Sequence, residues 1–155
     1  MNTATPTTED LYLVVGYDGS EPAVRALDAA AALLRGRTGS IEVVYVPHMP
    51  SVDMLSPDAV AGMNTTLDEI ARDLHAQASA QLLGREERWR FERGQDKLSD
   101  IPDVLIGAAE RIRDAHPGDN VAIVVGSSSQ AMHRMVGSVA VSLARHAPVP
   151  LVIVP

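Results

Sequence analysis

The sequence predicts an α/β fold: a single-domain, doubly wound parallel sheet of five strands with helices on both faces. Short apolar runs rich in β-branched residues alternate with longer amphipathic segments, and the order reads β-α-β-α-β-α-β-α-β. Regular alternation of this kind is typical of parallel sheets with right-handed crossovers. The chain has 155 residues, no internal repeat and no second composition regime, so we expect one domain.

Composition disfavours several classes of protein. The net charge of −7 argues against a nucleic-acid backbone or an anionic membrane as the main partner. The absence of cysteine excludes disulfides, thiolate metal sites and cysteine nucleophiles. The N-terminus carries no basic, hydrophobic signal, and no apolar run approaches a membrane span, so we expect a cytoplasmic protein. We interpret residues 1–10 as a disordered lead and residues 11–155 as the domain.

The first predicted strand, Leu11 to Val15, is followed by a polar turn. Gly16 and Asp18 lie in this turn, and Ser20 with Pro22 predicts the start of the first helix, since serine caps well and proline fits the first turn. Open α/β sheets bind ligands at the carboxyl ends of their strands. Asp18 is therefore a candidate ligand contact, although Asp-Gly-Ser is also common turn chemistry and both roles are compatible.

The middle of the chain predicts two further strands and two helices. A second strand covers Ile41 to Val46, and a connection without clear periodicity follows it, from His48 to Asp58. Apolar residues at three-four spacing predict a long amphipathic helix from Val60. The charged run from Glu86 to Arg93, with Trp89 and Phe91 inside it, predicts a half-exposed edge strand. Another helix is expected to open at the Asp-Ile-Pro-Asp segment from residue 100.

The last third of the chain has the pattern of an anion site. A buried strand from Val121 to Val125 ends in Gly126, a serine-rich loop follows, and Gly137-Ser138 opens a short helix before the final strand. Free backbone N–H groups at a strand end and at a helix N-terminus favour negative charge. The alternative interpretation is an ordinary polar loop with one glycine for the turn.

These segments together resemble the universal stress protein family. The matching runs are Val14-Val-Gly-Tyr-Asp-Gly-Ser20, Ile123-Val-Val-Gly-Ser127, Gly137-Ser-Val139 and Arg145-His-Ala-Pro-Val-Pro-Leu-Val-Ile-Val154. The resemblance covers nearly all of the chain from Leu11 to Pro155. It implies a parallel sheet of strand order 3-2-1-4-5 and, in many members, ATP binding by a Gly-x2-Gly-x9-Gly-[Ser/Thr] loop.

The resemblance also implies where a nucleotide would lie. Adenine would sit near Val46 and the ribose near Asp18, while Mg²⁺ or Mn²⁺ would bind on the phosphates of ATP. Ser129 replaces the middle glycine of the loop motif, and seven residues separate it from Gly137 where the family has nine. The candidate cofactor-binding residues are Gly16, Asp18, Val46, Gly126, Ser127, Ser129, Arg134, Gly137, Ser138 and Val139.

Two functions follow from this reading. The first is a nucleotide-binding (ATP or AMP) regulatory protein of the stress response, and the alternative is a nucleotide-free dimeric stress protein that acts as an interaction module. Catalysis is not expected, because no nucleophile-base pair or metal spacing is present. The final strand, Leu151 to Val154, is an apolar sheet edge with no charged side chain to prevent pairing with another chain. This predicts a homodimer through that strand.

Overall fold

A computed structural model of the chain describes residues 9–47, 55–85, 88–94, 100–127 and 138–155. These residues form one five-stranded parallel sheet in the order β3-β2-β1-β4-β5, with four helices. The sequence-based prediction of fold class and strand order is therefore confirmed. The expected disordered lead falls mostly on residues 1–8, outside the described part.

The strands alternate with the helices throughout. The strands are β1 (Leu11–Gly16), β2 (Gly39–Tyr45), β3 (Trp89–Arg93), β4 (Asn120–Gly126) and β5 (Leu151–Val154). The helices are α1 (Glu21–Leu33), α2 (Pro57–Gln81), α3 (Ile101–Ala115) and α4 (Ser138–His146). β1 pairs with β2 on one side and β4 on the other, so it lies at the centre of the sheet.

Two hydrophobic cores cover the two faces of the sheet. Alternate residues of β1 point to opposite faces, as a period of two requires. Leu13 and Val15 pack with α1 and α2, while Val14 packs with α3 and α4. The interior residues of the central strands are almost fully buried, which explains why they are continuous apolar runs and not alternating ones.

Several element boundaries differ from the sequence-based prediction. β2 spans Gly39–Tyr45 where Ile41 to Val46 was predicted, and β4 is one residue longer at each end than predicted. α2 begins at Pro57, three residues before the predicted Val60, because the Ser56 side chain accepts a hydrogen bond from the Ala59 N–H and proline fits the first turn. β3 begins at Trp89; residues 86–87, which the prediction included in this strand, lie outside the described part.

The one buried charged side chain among the described residues is Glu42, in the middle of β2. Its Oε2 accepts a hydrogen bond from the Arg90 Nη2 at 2.6 Å, whereas Oε1 has no hydrogen bond and lies 3.7 Å from the Arg111 Nη2. Arg111 also pairs with Glu92 at 3.2 Å. This cluster ties the edge strand β3 and helix α3 to β2. Burial raises the pKa of Glu42, and the nearby Glu92 carboxylate adds to the effect.

The raised pKa of Glu42 predicts a loss of stability with rising pH. When a carboxyl group has a higher pKa in the folded state than in the unfolded state, its ionisation lowers the free energy of unfolding. The loss begins near the ordinary glutamate pKa of about 4.3 and continues to the raised value. We expect the Glu42→Gln variant to lack this fall in the free energy of unfolding, measured by urea titration at a series of pH values above 4.5.

Glu110→Gln provides the matched control, because Glu110 lies exposed on α3. This variant should keep the pH dependence of the wild type. An unchanged pH slope in Glu42→Gln would show that the buried carboxyl group does not control stability in this range.

Candidate functional site

A cleft of about 340 Å³ opens at the carboxyl ends of β1, β2 and β4. It lies where the chain order of the sheet reverses, between β1 and β4, the position at which open α/β sheets bind ligands. Six of the candidate residues line this cleft: Gly16, Asp18, Val46, Gly126, Ser138 and Val139. The structure thus brings together residues from three strand ends and from the start of α4.

Asp18 lies exposed in the turn between β1 and α1. Its Oδ1 accepts a hydrogen bond from the Ser20 N–H at 3.0 Å, and the Ser20 Oγ in turn accepts one from the Ala23 N–H at 3.4 Å. The turn chemistry and the helix cap predicted from the sequence are therefore both present. No described residue bonds to the Asp18 Oδ2.

The next residue of this turn, Gly19, lies directly against α2. Its φ is +77°, a conformation that favours glycine. A Cβ at this position would meet the Leu74 side chain at 2.7 Å and the Gln77 side chain at 3.1 Å. The turn that carries Asp18 is therefore packed onto the long helix, which fixes the position of the carboxylate.

Val46 follows the end of β2 and lines the cleft. Within the described part of the chain, its backbone N–H and C=O make no hydrogen bond. By contrast, the preceding carbonyl groups are occupied: Val44 accepts from the Tyr17 N–H at 2.9 Å, and Tyr45 accepts from the Gly94 N–H at 2.8 Å. Val46 therefore offers an adjacent donor and acceptor to a ligand.

Sequence reasoning missed the apolar walls of the cleft. Ile101 and Leu105, from the first turns of α3, line it beside Val44 and Val125. A spacing of four residues on a helix indicates only that two side chains share a face, because a core contact and a ligand contact have the same pattern. Together these side chains give the cleft an apolar surface.

Gly126 is a glycine because helix α1 packs against it. A Cβ built on Gly126 would overlap the carbonyl group of Pro22. The next residue, Ser127, donates its N–H to the Val154 carbonyl at 2.7 Å and does not line the cleft. The end of β4 is thus closely packed, and the Ser127 N–H is hydrogen-bonded within the sheet.

The first turn of α4 completes the described cleft. Ser138, Val139 and Ala140 line it, and the first N–H groups of a helix have no partner within the helix. The other candidate residues of this region, Ser129, Arg134 and Gly137, lie outside the described residues.

The described lining carries one ionisable acid, Asp18, and no lysine or arginine. Tyr17 lies beside it, and burial raises the pKa of its phenol group above the ordinary value. In the described ranges, no group of three or more histidine, cysteine or carboxylate side chains could hold a metal ion. Nor does any described helix combine the length and the apolar character that crossing a membrane requires.

Comparison with known proteins identifies the family. The model of the universal stress protein family matches residues 13–155. The chain belongs to the universal stress protein family. A search of curated protein sequences found no match.

Solved structures share the fold. A universal stress family protein from Burkholderia pseudomallei is 24% identical, with 93% of this chain and 95% of that one covered and a TM-score of 0.67. A universal stress protein in complex with cAMP is 20% identical, with coverage of 96% and 99% and a TM-score of 0.63. A universal stress protein from Archaeoglobus fulgidus in complex with dAMP is 17% identical, with coverage of 95% and 98% and a TM-score of 0.50.

The packing of Gly126 generates a test that needs no ligand. Gly126→Val should lower the free energy of unfolding by roughly 2–3 kcal/mol, because the new side chain must displace the Pro22 backbone. Urea unfolding of the variant without added nucleotide measures this loss. Gly62→Ala, on α2 with no atom near the added Cβ, should instead gain about 1 kcal/mol. Wild-type stability in Gly126→Val would show that α1 does not pack on this glycine.

Proposed function

We propose that this protein binds an adenine nucleotide in the cleft at the ends of β1, β2 and β4 and acts as a regulatory protein of the stress response. The observation that carries the proposal is the convergence there of Val46, Asp18 and the first turn of α4. Each of these three offers a different kind of contact, and together they match the three parts of a nucleotide.

The base is the first part. The N–H and C=O of Val46, which bond to no described residue, form a donor-acceptor pair that complements the N1 and the amino group of adenine. Ile101 and Leu105 supply an apolar surface beside the ring. Ligand sites of this kind are mostly apolar, with a few polar groups that fix orientation.

The sugar and the phosphate are the other two parts. The Asp18 Oδ2 accepts hydrogen bonds from ribose hydroxyl groups, while Oδ1 holds the turn through Ser20. Ser138 and Val139 line the cleft, and in this proposal the Ser138 hydroxyl group and the first amides of α4 donate to a phosphate oxygen. In this proposal, a divalent cation such as Mg²⁺ or Mn²⁺ binds through the phosphates of the nucleotide.

Two further observations support a binding role. Structural neighbours of this fold are complexes with cAMP and dAMP, both of which carry adenine. The described cleft also lacks a nucleophile-base pair: its side-chain hydroxyl and carboxylate groups are Ser20, Ser138, Tyr17 and Asp18, and its lining includes no histidine or lysine. Regulation by binding fits this set of groups better than catalysis.

Asp18→Asn tests the ribose contact. The new amide oxygen can still accept from the Ser20 N–H, so the turn should persist, but the second acceptor and the charge are lost. We expect the affinity for AMP, measured by titration calorimetry, to fall about tenfold. Asp114→Asn, an exposed carboxyl group at the end of α3, is the control and should bind like the wild type.

Mass spectrometry of the denatured, purified protein tests the function more broadly, since a bound nucleotide should co-purify. If Asp18→Asn binds AMP as tightly as the wild type, Asp18 is not the ribose contact. If no adenine nucleotide co-purifies or binds in titration, the proposal fails and the nucleotide-free interaction module takes its place.

We further propose a homodimer through β5. The Pro150 and Val154 carbonyl groups accept from β4, so the backbone groups of residues 150, 152 and 154 face β4, and those of Leu151 and Ile153 face away. Ile153 is 39% exposed and apolar. Among described residues β5 pairs only with β4. A two-fold contact with a second copy satisfies this free edge.

Because alternate residues of β5 direct their backbone groups toward β4 or away from it, two proline variants can be compared. Ile153→Pro removes an outward-facing N–H and should convert the dimer to a monomer with β4–β5 pairing intact. Val152→Pro removes an inward-facing N–H and should mainly destabilise the fold. Light scattering at micromolar concentration, together with thermal unfolding, separates the two effects. A monomeric wild type, or a dimer that survives Ile153→Pro, would show that β5 is not the interface.

A further inference from the structure

We infer that β3 is a self-complementary sheet edge, at which a second copy of this chain pairs antiparallel about Phe91. This contact lies at the edge of the sheet opposite to β5 and does not depend on the ligand of the cleft. Its basis is the direction of the backbone groups of β3 and the order of its side chains, Trp89-Arg-Phe-Glu-Arg93.

The backbone of β3 presents one row of polar groups to β2 and another row away from the sheet. The Gly94 N–H donates to the Tyr45 carbonyl at 2.8 Å, which places the even-numbered residues of this strand toward β2. The N–H and C=O groups of Trp89, Phe91 and Arg93 therefore face outward. Among the described residues, β3 pairs with β2 alone. An edge row of this kind is a template for another strand.

A two-fold antiparallel contact centred on Phe91 uses all of these outward-facing groups. Phe91 then lies opposite Phe91 of the second copy, and Trp89 lies opposite its Arg93. Residues whose N–H and C=O both face the other strand form the hydrogen-bonded pairs of an antiparallel ladder and exchange both of their N–H···O bonds. The contact is isologous, so it closes on two copies.

The side chains between these positions match by charge. Arg90 lies opposite Glu92 of the second copy, and Glu92 lies opposite its Arg90. Both are non-hydrogen-bonded pairs, in which opposite Cα atoms are about 4.5 Å apart and side chains approach most closely. Opposite charges at such positions stabilise the pairing of two strands.

The same two charges disfavour the neighbouring registers. The outward-facing groups also permit a contact centred on residue 90 or on residue 92. The first register places Arg90 opposite Arg90 of the second copy, and the second places Glu92 opposite its Glu92. Like charges directly opposite each other are destabilising. Charged edges usually prevent pairing with other chains, but the charge order of β3 matches its own copy in the register about Phe91.

The intrachain partners of these two side chains leave them able to bind a second partner. Arg90 donates to Glu42 through its Nη2, and 67% of the Arg90 side chain is exposed. Glu92 accepts from Arg111 and is 44% exposed. A guanidinium group has five N–H donors and a carboxylate has about four acceptor positions, so neither is saturated by one partner. These intrachain pairs also order both side chains in advance, which lowers the entropy cost of association.

The other face of β3 adds an aromatic contact. The His75 ring of α2 lies against Trp89 and Phe91, with centroid distances of 5.6 and 5.2 Å. Arg93 is held on this face by an ion pair with Asp68 of α2. Antiparallel pairing places Arg93 of the second copy opposite the Trp89 side chain, and guanidinium groups bind favourably to the face of an indole ring.

Amide hydrogen exchange of the full chain, followed residue by residue by NMR at micromolar and millimolar concentration, tests this pairing. At the higher concentration we expect exchange at Trp89, Phe91 and Arg93 to slow by at least about fivefold, while Arg90 and Glu92, which face β2 in both cases, change little. Unchanged exchange at the three outward-facing amides overturns the inference. The outward-facing amide of Ile153 reports separately on β5, so failure of the β3 contact and failure of the β5 contact are distinguishable.

The Ile153→Pro variant isolates the β3 contact. Because β3 and β5 are opposite edges of one sheet, a chain that uses both builds assemblies larger than a dimer. Without the β5 contact, sedimentation equilibrium should show a monomer and a dimer that forms through β3. Adding Glu92→Gln should weaken this dimer about tenfold, because a two-fold contact loses both ion pairs. The new amide oxygen still accepts from Arg111, so the fold should persist.

Glu69→Gln, on the exposed side of α2, is the matched control and removes the same charge. The chain has a net charge of −7, so loss of one negative charge by itself reduces repulsion between copies and does not weaken the dimer. A Glu92→Gln variant that dimerises as tightly as the Glu69→Gln control would show that the charge match does not select this edge and would overturn the inference.

Discussion

The reversal of strand order at β1 is the constraint on which the rest of this molecule depends. The chain leaves β1 toward β2 on one side and later returns to place β4 on the other, so the connections diverge and a gap opens between them. Residues distant in sequence, such as Asp18, Val46 and Ser138, meet at that gap only because the strands are parallel and end at the same edge. The two hydrophobic cores, one on each face of the sheet, hold these strand ends in place.

Most of the fold was predictable from the sequence because its signals are local and consistent. The strands are continuous apolar runs, and Ser20 followed two residues later by Pro22 marks the start of α1. The pattern was less informative where tertiary contacts determine whether a side chain is buried. Ile70 continues the three-four spacing of α2 yet is 40% exposed, because spacing identifies a face but not whether anything covers it.

The candidate site was predictable in part, for a physical reason. Asp18 and Gly126 were found because polar or glycine residues at strand ends interrupt an apolar pattern. Ile101 and Leu105 were not, since a ligand-facing leucine looks like any core leucine. Nor does a sequence reveal which amides are occupied: the Ser127 N–H, expected near phosphate, is held by Val154. Whether a backbone N–H is already hydrogen-bonded depends on which residues the fold brings next to it.

The contact between Gly19 and α2 has a consequence for how this sequence can vary. Any side chain at position 19 must overcome both a positive φ and the volume of Leu74. A smaller residue at position 74, on a helix fifty-five residues further along the chain, would relieve the contact but not the strain of the positive φ. The backbone conformation of the turn therefore favours glycine at position 19 whatever residue α2 places against it.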